Sequence, residues 1–323
     1  MRPDGFLIAI ALSVAAAFAA PAIGMSHGVL HMGSVTDIGV ALVFFLHGAA
    51  ISPATMRAAV TNWRLHAVIQ ASTYCLFPVI GLIVWRFGLQ WLGSDLALGF
   101  FFLCAISSTI SSSVAMTALG RGNVAGAIFN ATLSGLIGMA LTPLLMSAII
   151  ADGHSGGQVL GQIEGILGKL LLPFAAGQIL RGWIQSVLDR HKALIGKVDR
   201  MVIVMIVYTA FCDAAAAGTW THDNAVALVK VFVLCVVTLA FALIATTVAA
   251  RWLGLSKEDE IAAVFCGSKK SLANGAPIGK VLFGATPALS LILVPLLLYH
   301  QAQLVVCAIL ARRYAERDSQ GKR

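Results

Sequence analysis

The sequence has 323 residues, of which 59% are hydrophobic and 11% are charged, and its mean hydropathy is +0.90. A soluble chain of this length would carry about 25% charged residues, so the composition excludes an ordinary water-soluble domain. The formal net charge of +8 does not indicate nucleic-acid binding, because the basic residues are distributed as membrane topology requires.

Ten apolar segments follow one another along the chain, each close to the length of about 20 residues that crosses a bilayer. They are 5–24, 33–52, 66–87, 94–119, 123–150, 159–181, 198–217, 225–250, 258–283 and 288–312. The first segment also has features of a signal peptide, but a second membrane segment follows it, so we predict a transmembrane helix. The longest polar insert, Arg181–Arg200, is predicted to be a linker.

The basic residues predict the orientation of the protein in the membrane. With the N-terminus in the cytoplasm, the cytoplasmic segments contain sixteen Lys and Arg residues, and the outer segments contain Arg86, Lys230 and Lys280. This positive-inside bias predicts a multi-pass protein of the inner (plasma) membrane with both termini in the cytoplasm. The six cysteines all fall within apolar segments without a C-x-x-C pair, so we expect neither a disulfide framework nor a zinc site.

Two of the predicted helices are interrupted by polar residues. "SSTISSS" (Ser107–Ser113) interrupts the fourth segment, and "GSKKSLANG" (Gly267–Gly275) interrupts the ninth. Serines can simply bend a helix by bonding to the preceding turn, but matched interruptions in two halves of a chain favour a transport site. We therefore predict two five-helix repeats, 1–157 and 158–315, with a cytoplasmic tail, 316–323. Because five is odd, the second repeat is inverted.

Charged and polar side chains within these segments are candidate functional residues. Lys269 and Lys270 lie in mid-segment, where each would cost about 2.5–3.5 kcal/mol if it faced lipid. We therefore expect them to face a cavity, a counter-charge or a bound anion, with Asp213 as the candidate charge partner. His47 is either a proton relay or a packing residue, and Gln70 either lines the site or bonds to a neighbouring helix.

By these features the sequence resembles the bile acid:sodium symporter family, and more narrowly its SBF-like branch. The resemblance covers about residues 5–315 and is carried by "NWRLH" (Asn62–His66), "ALGRGN" (Ala118–Asn123), "FNATLSGLIG" (Phe129–Gly138), "GSKKSLANG" and "YHQ" (Tyr299–Gln301). It implies an all-α membrane protein of ten helices in two inverted repeats, divided into a panel and a core domain. The two broken helices of the core would cross near the midplane, where family members bind sodium beside an organic-anion cavity.

The broken helices and the resemblance together give the candidate substrate- or ion-binding residues. They are Ser111, Ser112, Ser113, Asn130, Ser134, Ser268, Lys269, Lys270, Ser271, Asn274, Gln70, His300 and Gln301. The resemblance also implies a vestigial sodium site near Ser113 and Asn130. Sodium-dependent members carry a glutamate and a glutamine that line up with Phe265 and Lys269. We therefore hypothesise that the ammonium of Lys269 or Lys270 takes over part of the role of the cation.

The sequence thus predicts a secondary transporter of a small organic anion that works by alternating access, with the anion and the bilayer as its partners and no nucleic acid. No cofactor is expected; sodium is the one candidate ion, and the lysines argue against it. The alternatives are a proton-coupled or ion-independent carrier, and a channel or regulatory protein that does not transport. An intramembrane enzyme is disfavoured, because the sequence has neither G-x-S-x-G nor H-E-x-x-H. The sequence defines neither the substrate nor the oligomeric state.

Overall fold

A computed structural model describes residues 5–50, 62–150 and 156–320, and all regular secondary structure in those ranges is helical. The prediction of an all-α protein is confirmed. The helices are α1 (Gly5–Ala19), α2 (Pro21–Gly24), α3 (Met32–Ala50), α4 (Trp63–Leu92), α5 (Ser94–Ala105), α6 (Ser111–Leu119), α7 (Val124–Ile150), α8 (Gly156–Arg190), α9 (Lys192–Ala216), α10 (His222–Trp252), α11 (Lys257–Gly267), α12 (Leu272–Phe283) and α13 (Ala288–Gln320).

Five of these helices are long and apolar enough to cross a membrane: α3, α4, α7, α10 and α13. Their surfaces carry many large apolar side chains, for example Phe87, which is 71% exposed, and Ile244, which is 62% exposed. Contiguous apolar surface of this extent is rare on a soluble monomer and is expected where lipid is the solvent. The chain is therefore a multi-pass membrane protein. The total of ten crossings stays a prediction.

The helices begin and end close to the predicted segments, with one clear exception. The linker predicted at Arg181–Arg200 is wrong, because α8 continues to Arg190 and α9 begins at Lys192. This stretch has no proline and is rich in good helix formers, so the helices extend past the apolar segments that define them. At the other end, α13 continues to Gln320, into the predicted tail. Ile51, Ser52, Arg2, Arg57, Lys322 and Arg323, which the predictions also used, lie outside the described residues.

The chain forms two compact units, and each combines segments from both predicted repeats. Unit 1 consists of Met1–Ile51, Pro143–Ala227 and Gly275–Val294, and unit 2 consists of Ser52–Thr142, Leu228–Asn274 and Pro295–Arg323. The chain passes between the units within α7, α10, α12 and α13. The division into repeats at residue 157 is a statement about sequence symmetry and stays a prediction.

Unit 1 contains a close approach of two helices, α3 and α8. A Cβ atom added at Gly48 would meet the main chain of Phe174, and one added at Gly177 would meet the main chain of Phe45. Small residues at such a contact allow two membrane helices to pack backbone against backbone, which compensates for the weak driving force for helix association in lipid.

In unit 2, one carboxylate joins the beginnings of three helices. Asp259 at the start of α11 accepts hydrogen bonds of 2.7 Å from the Nδ2 atoms of Asn62, before α4, and Asn123, before α7. The same region is capped locally, because the Asn62 Oδ1 atom accepts from Leu65 N and Ser256 Oγ accepts from Asp259 N. These caps satisfy N–H groups that the helix itself leaves unpaired. The result fixes where α11 enters unit 2, and hence where its broken end lies.

Candidate functional site

The two interrupted helices meet at their breaks. Between α5 and α6 residues 106–110 are non-helical, and between α11 and α12 residues 268–271 are non-helical. The main-chain N–H of Ser271 donates to the Ser107 carbonyl at 2.9 Å, and Asn274 Nδ2 donates to Ser107 Oγ at 2.8 Å. Serine, asparagine and glycine compete with helical hydrogen bonding, which explains why the helices open here. Unwound backbone at membrane depth is tolerated only where it is buried in protein or lines a cavity.

Lys270 is completely buried, and its ammonium is held by main-chain carbonyls. The Nζ atom donates to the carbonyls of Cys104 and Ile106 at 2.8 Å each and to that of Thr73 at 3.0 Å. It also lies 4.1 Å from the ring centroid of Phe77, a cation–π contact. Cys104 and Ile106 lie at the C-terminal end of α5, where the helix macrodipole favours a cation. The ammonium therefore occupies a carbonyl cage of the kind that binds alkali cations.

The Thr73 carbonyl is available to Lys270 because of the local structure of α4. Ser72–Leu76 forms a π-helical turn, in which the N–H of Phe77 donates to Ser72 O, five residues back. The next donor in this pattern would be residue 78, which is proline and has no N–H. The bulge and the proline together leave the Thr73 carbonyl without a helical partner, as is frequent at functional π-bulges.

Lys269 is also completely buried, but its side chain is directed to the other broken helix. Its Nζ atom donates to the Ser112 carbonyl at 2.8 Å and lies 5.7 Å from the Phe265 ring centroid. The two adjacent lysines therefore contact opposite sides of the first break, α5 through Lys270 and α6 through Lys269. Both lysines are therefore buried by contacts within unit 2 and do not face lipid, as their position in an apolar segment predicted.

The C-terminal carbonyls of α11 are satisfied by hydroxyl groups rather than by an ammonium. Four side chains from three other helices and the first break donate to the last carbonyls of α11 and to the residue after it. The pairs are Ser113 Oγ to Phe265 O at 3.1 Å, Ser108 Oγ to Cys266 O at 2.6 Å, Ser72 Oγ to Gly267 O at 2.7 Å and Tyr299 OH to Ser268 O at 2.6 Å. The two broken helices therefore have chemically different ends, one cationic and one neutral.

Gln303 is a site residue that was not among the residues predicted from the sequence. Its Oε1 atom accepts from Lys270 N at 2.8 Å, and its Nε2 atom donates to Lys270 O at 2.9 Å and lies 3.0 Å from His300 Nδ1. Gln301 was the glutamine predicted for the site, but the residue that contacts Lys270 is Gln303. Helical periodicity contained the signal, because Tyr299, His300 and Gln303 share one face of α13, whereas Gln301 is turned away from it.

The predicted polar residues of α7 separate into two clusters. Ser134 Oγ accepts from Ser108 N at 2.9 Å, and the Ser134 carbonyl accepts from the Tyr74 hydroxyl. Ser134 therefore lies at the crossing, the place where the two broken helices meet. Asn130 instead contacts His66 Nδ1 at 2.9 Å and accepts from Gln70 Nε2, so Gln70 makes the helix-to-helix bond that was one of its two expected roles. The vestigial sodium site expected near Ser113 and Asn130 stays a prediction.

The remaining predicted serines have local roles or none that is visible. Ser271 Oγ accepts from Asn274 N at 3.1 Å and so caps α12. Ser268 Oγ bonds back to Val264 O at 2.6 Å. Ser112 contributes its carbonyl to Lys269, and the hydroxyl lies 3.3 Å from Thr109 Oγ1. Ser111 is exposed at the start of α6.

The role of Asp213 as a charge partner of Lys269 or Lys270 stays a prediction. The Asp213 carboxylate accepts from Ser26 N at 2.8 Å and from Ser26 Oγ at 2.6 Å, within unit 1. The lysines obtain their acceptors from main-chain carbonyls in unit 2, so no counter-charge is required. His47 also belongs to unit 1, where its Nε2 atom lies 3.5 Å from Asp199 Oδ1. Its expected role as a proton relay stays a prediction.

An all-helical membrane protein whose two interrupted helices meet at buried polar and charged side chains has the architecture of a membrane transporter. The sequence profile of the SBF-like CPA transporter family matches residues 4–316, and the chain belongs to this family. The resemblance that the motifs suggested is confirmed.

Several relatives match over nearly the whole chain. An "Uncharacterized protein" of Pseudomonas aeruginosa is 46% identical, over 98% of this chain and 94% of the relative. The Escherichia coli protein named "Putative symporter YfeH" is 39% identical, over 89% of this chain and 86% of the relative. "Sodium/bile acid cotransporter 7" of Danio rerio is 31% identical, over 96% of this chain and 93% of the relative.

Proposed function

We propose that this protein is a secondary transporter that carries a small organic anion across the inner membrane by alternating access, with the ammonium of Lys270 in the place of a transported cation. The family supports the transporter class. The zebrafish relative is named for sodium and a bile acid, and bile acids are organic anions. The observation that carries the proposal for the ion is the carbonyl cage of Lys270, three oxygens within 3.0 Å of a completely buried ammonium.

A tethered cation changes how transport can be driven. Sodium couples to a substrate because it binds and leaves, and its binding shifts the equilibrium between conformations. The ammonium of Lys270 cannot leave its carbonyls along a concentration gradient, because it is part of the chain. Sodium is therefore not the driving ion in this proposal. Carriage is either driven by the gradient of the anion itself or coupled to the proton of the lysine, the only cation that can be exchanged at this position.

The first test is the response of the purified full chain to sodium. We expect the thermal unfolding midpoint in detergent to be equal in sodium, potassium and choline chloride at matched ionic strength. A ligand that binds only the folded state raises stability by RT ln(1 + [L]/Kd), so a working sodium site would raise the midpoint as sodium increases. A sodium-specific rise would contradict the proposed role of Lys270 while leaving the transporter class intact.

The second test replaces the ammonium and returns it in solution. Lys270→Met keeps most of the volume but leaves three carbonyls without a donor, which should cost about 3 kcal/mol or more of unfolding free energy. Lys270→Ala also opens space for a small alkylammonium ion. We expect propylammonium, but not propanol or choline, to raise the unfolding midpoint of Lys270→Ala towards that of the parent protein.

A matched control is Lys230→Ala, because Lys230 is exposed and its Nζ donates to a single carbonyl, that of Trp91, at 3.2 Å. Propylammonium should not stabilise this variant beyond its effect on the parent. If propylammonium stabilised both variants equally, or neither, the carbonyl cage would not be acting as a cation site.

A further inference from the structure

We infer that the helical hairpin formed by the end of α8 and the beginning of α9 is a binding surface for the headgroups of anionic phospholipids. The α8–α9 hairpin comprises residues 181–200 of unit 1, the stretch for which the sequence predicted a linker. It contains five Lys and Arg residues and two Asp residues, a net charge of +3 within 20 residues. Clusters of about four to eight basic residues beside a membrane-crossing helix are typical of surfaces that attract anionic lipids.

The hairpin presents its charges on a regular helical backbone. Only His191 separates the two helices, and main-chain hydrogen bonds continue on both sides of it. The N–H of His191 donates to Val187 O at 3.0 Å, and the N–H of Leu194 donates to His191 O at 2.9 Å. A surface that is ordered before binding loses less conformational freedom when its ligand binds, so this backbone favours a defined headgroup site.

Apolar and basic side chains share the exposed faces of both helices. On α8, Trp183, Val187 and Arg190 follow one another at helical spacing, so they lie on one face. All three are exposed, and Trp183 is 80% exposed. On α9, Leu194 is 58% exposed and lies one turn before Lys197, which is also exposed. A free phosphate would bind the cations alone, whereas a lipid also buries the apolar side chains at the boundary between headgroups and acyl chains.

The hairpin begins and ends at the depth of the headgroups. The predicted apolar segment of α8 ends at residue 181, and that of α9 begins at residue 198. Trp183 and Lys197 therefore lie within two residues of these segments, a distance of about 3 Å along a helix axis. The headgroup layer is about 5–8 Å thick on each side of the hydrocarbon core. Tryptophan is enriched at this depth, and lysine extends its ammonium from it towards the phosphates.

Two contacts within unit 1 show which leaflet the hairpin faces. The guanidinium carbon of Arg200 lies 5.7 Å from the ring centroid of Phe6, at the beginning of α1. Asp199 Oδ1 lies 3.5 Å from Nε2 of His47, near the end of α3, so one of the two carboxylates of the hairpin already has an imidazole beside it. The hairpin is therefore on the side of the N-terminus, which the positive-inside bias predicts to be cytoplasmic. The cytoplasmic leaflet carries a negative surface potential from its anionic lipids.

Phosphatidylglycerol is a suitable probe, with phosphatidylcholine as the zwitterionic lipid and glycerol phosphate as the soluble phosphate. The thermal unfolding midpoint of the full chain is measured in mixed micelles of a non-ionic detergent as the mole fraction of each lipid rises. We expect a saturable rise with phosphatidylglycerol and none with phosphatidylcholine or glycerol phosphate, because a ligand of the folded state raises the midpoint. This measurement needs no transport, so it is independent of the proposed function.

Substitutions in the hairpin should weaken the response to phosphatidylglycerol. Arg190→Gln and Lys197→Gln should each raise the half-saturating mole fraction about fivefold, because each removes one cation that attracts the headgroup. Trp183→Ala should raise it about threefold or more, because binding also depends on the apolar area that is buried. All three residues are exposed, and substitutions at exposed positions change stability little, so the variants should fold. The midpoint in phosphatidylcholine alone checks this.

The matched controls lie in unit 2 on the same predicted side of the membrane. Arg312→Gln combined with Arg313→Gln removes two exposed cations near the end of α13, and Trp252→Ala removes an exposed tryptophan at the end of α10. Both controls should keep the full response to phosphatidylglycerol. An equal loss of response in the controls, or an unchanged response in the hairpin variants, would overturn the inference. So would an equal rise with phosphatidylcholine, or a rise with glycerol phosphate, which would assign the surface to soluble phosphates.

Discussion

A lysine deep in a membrane protein requires acceptors for its ammonium as well as burial of its methylene chain. An ammonium has three donors, and Lys270 has three carbonyl acceptors, from α4 and from the end of α5. Gln303 accepts a hydrogen bond from the main-chain N–H of the same residue and donates one to its C=O. Hydrogen bonds thus hold both the side chain and the main chain of Lys270 in position.

We predict that Gln303→Ala destabilises the protein, whereas Gln301→Ala does not. Loss of the Gln303 amide leaves the buried N–H and C=O groups of Lys270 without partners, at about 1–3 kcal/mol for each group. Gln301 lies on the same helix, α13, but turned away from the crossing, so its truncation controls for the loss of a glutamine at this depth. Thermal unfolding of both variants in detergent measures the difference.

Equal midpoints for the two glutamine variants would show that the Gln303 amide does not hold Lys270. The propylammonium experiment gives a second measurement. If the Gln303 amide holds the break open, adding Gln303→Ala to Lys270→Ala should reduce the rise in unfolding midpoint that propylammonium produces. If propylammonium raised the unfolding midpoint of the double variant as much as that of Lys270→Ala alone, the Gln303 amide would not be needed to keep the carbonyl cage open.

The sequence predicted which residues of the site are exceptional but not what they contact. Lys269 and Lys270 are conspicuous because a charge in an apolar segment is rare and costly. Their acceptors, the carbonyls of Thr73, Cys104, Ile106 and Ser112, are main-chain atoms. Every residue has a carbonyl, so side-chain identity carries no signal for such a contact. This is why a carboxylate, Asp213, was expected instead.

At the scale of helices, polarity predicted the interruptions correctly and one helix end incorrectly. Ser, Asn and Gly clusters favour non-helical backbone wherever they occur, so both breaks were visible in the sequence. The polar stretch Arg181–Arg200 was taken for a linker because it is not apolar, yet it is almost entirely helical. Hydropathy shows where a helix can contact lipid, whereas helix propensity and capping decide where it ends.

Helix packing in unit 1 leads to a second paired prediction. Gly177→Ala should destabilise the protein, because the added Cβ would meet the main chain of Phe45 and separate α8 from α3. Gly182→Ala on the same helix should be neutral or stabilising by up to about 1 kcal/mol, because no atom of the described residues lies within 4 Å of a Cβ added there and alanine is the better helix former. The unfolding midpoints of the two variants provide the comparison.

A loss of stability in Gly182→Ala similar to that in Gly177→Ala would indicate that α8 needs flexibility at both positions rather than close packing at one. Unchanged stability in Gly177→Ala would mean that α3 and α8 separate without cost. Either result would remove the close approach as a determinant of unit 1.

At the scale of the whole molecule, the sequence order and the spatial order differ. Each compact unit is assembled from three separate stretches of chain, and the passages between units within helices fall at Pro143, Leu228, Gly275 and Pro295. Periodicity and composition describe neighbours along the chain, so the sequence predicted helices and their breaks but not this grouping. Two of these four passages coincide with prolines inside helices, where a main-chain hydrogen bond is missing and the helix is easier to bend.

Orientation in the membrane is the last property that the sequence predicts for the whole molecule, and accessibility to an impermeant reagent tests it. The positive-inside bias places Lys230 and Lys280 outside and Arg313 in the cytoplasm. In a Cys75→Ser background, which removes the one exposed natural cysteine of the described ranges, a membrane-impermeant maleimide should label Lys230→Cys in intact cells. It should label Arg313→Cys only after permeabilisation. The reverse pattern would contradict the predicted orientation and would place both termini outside the cytoplasm.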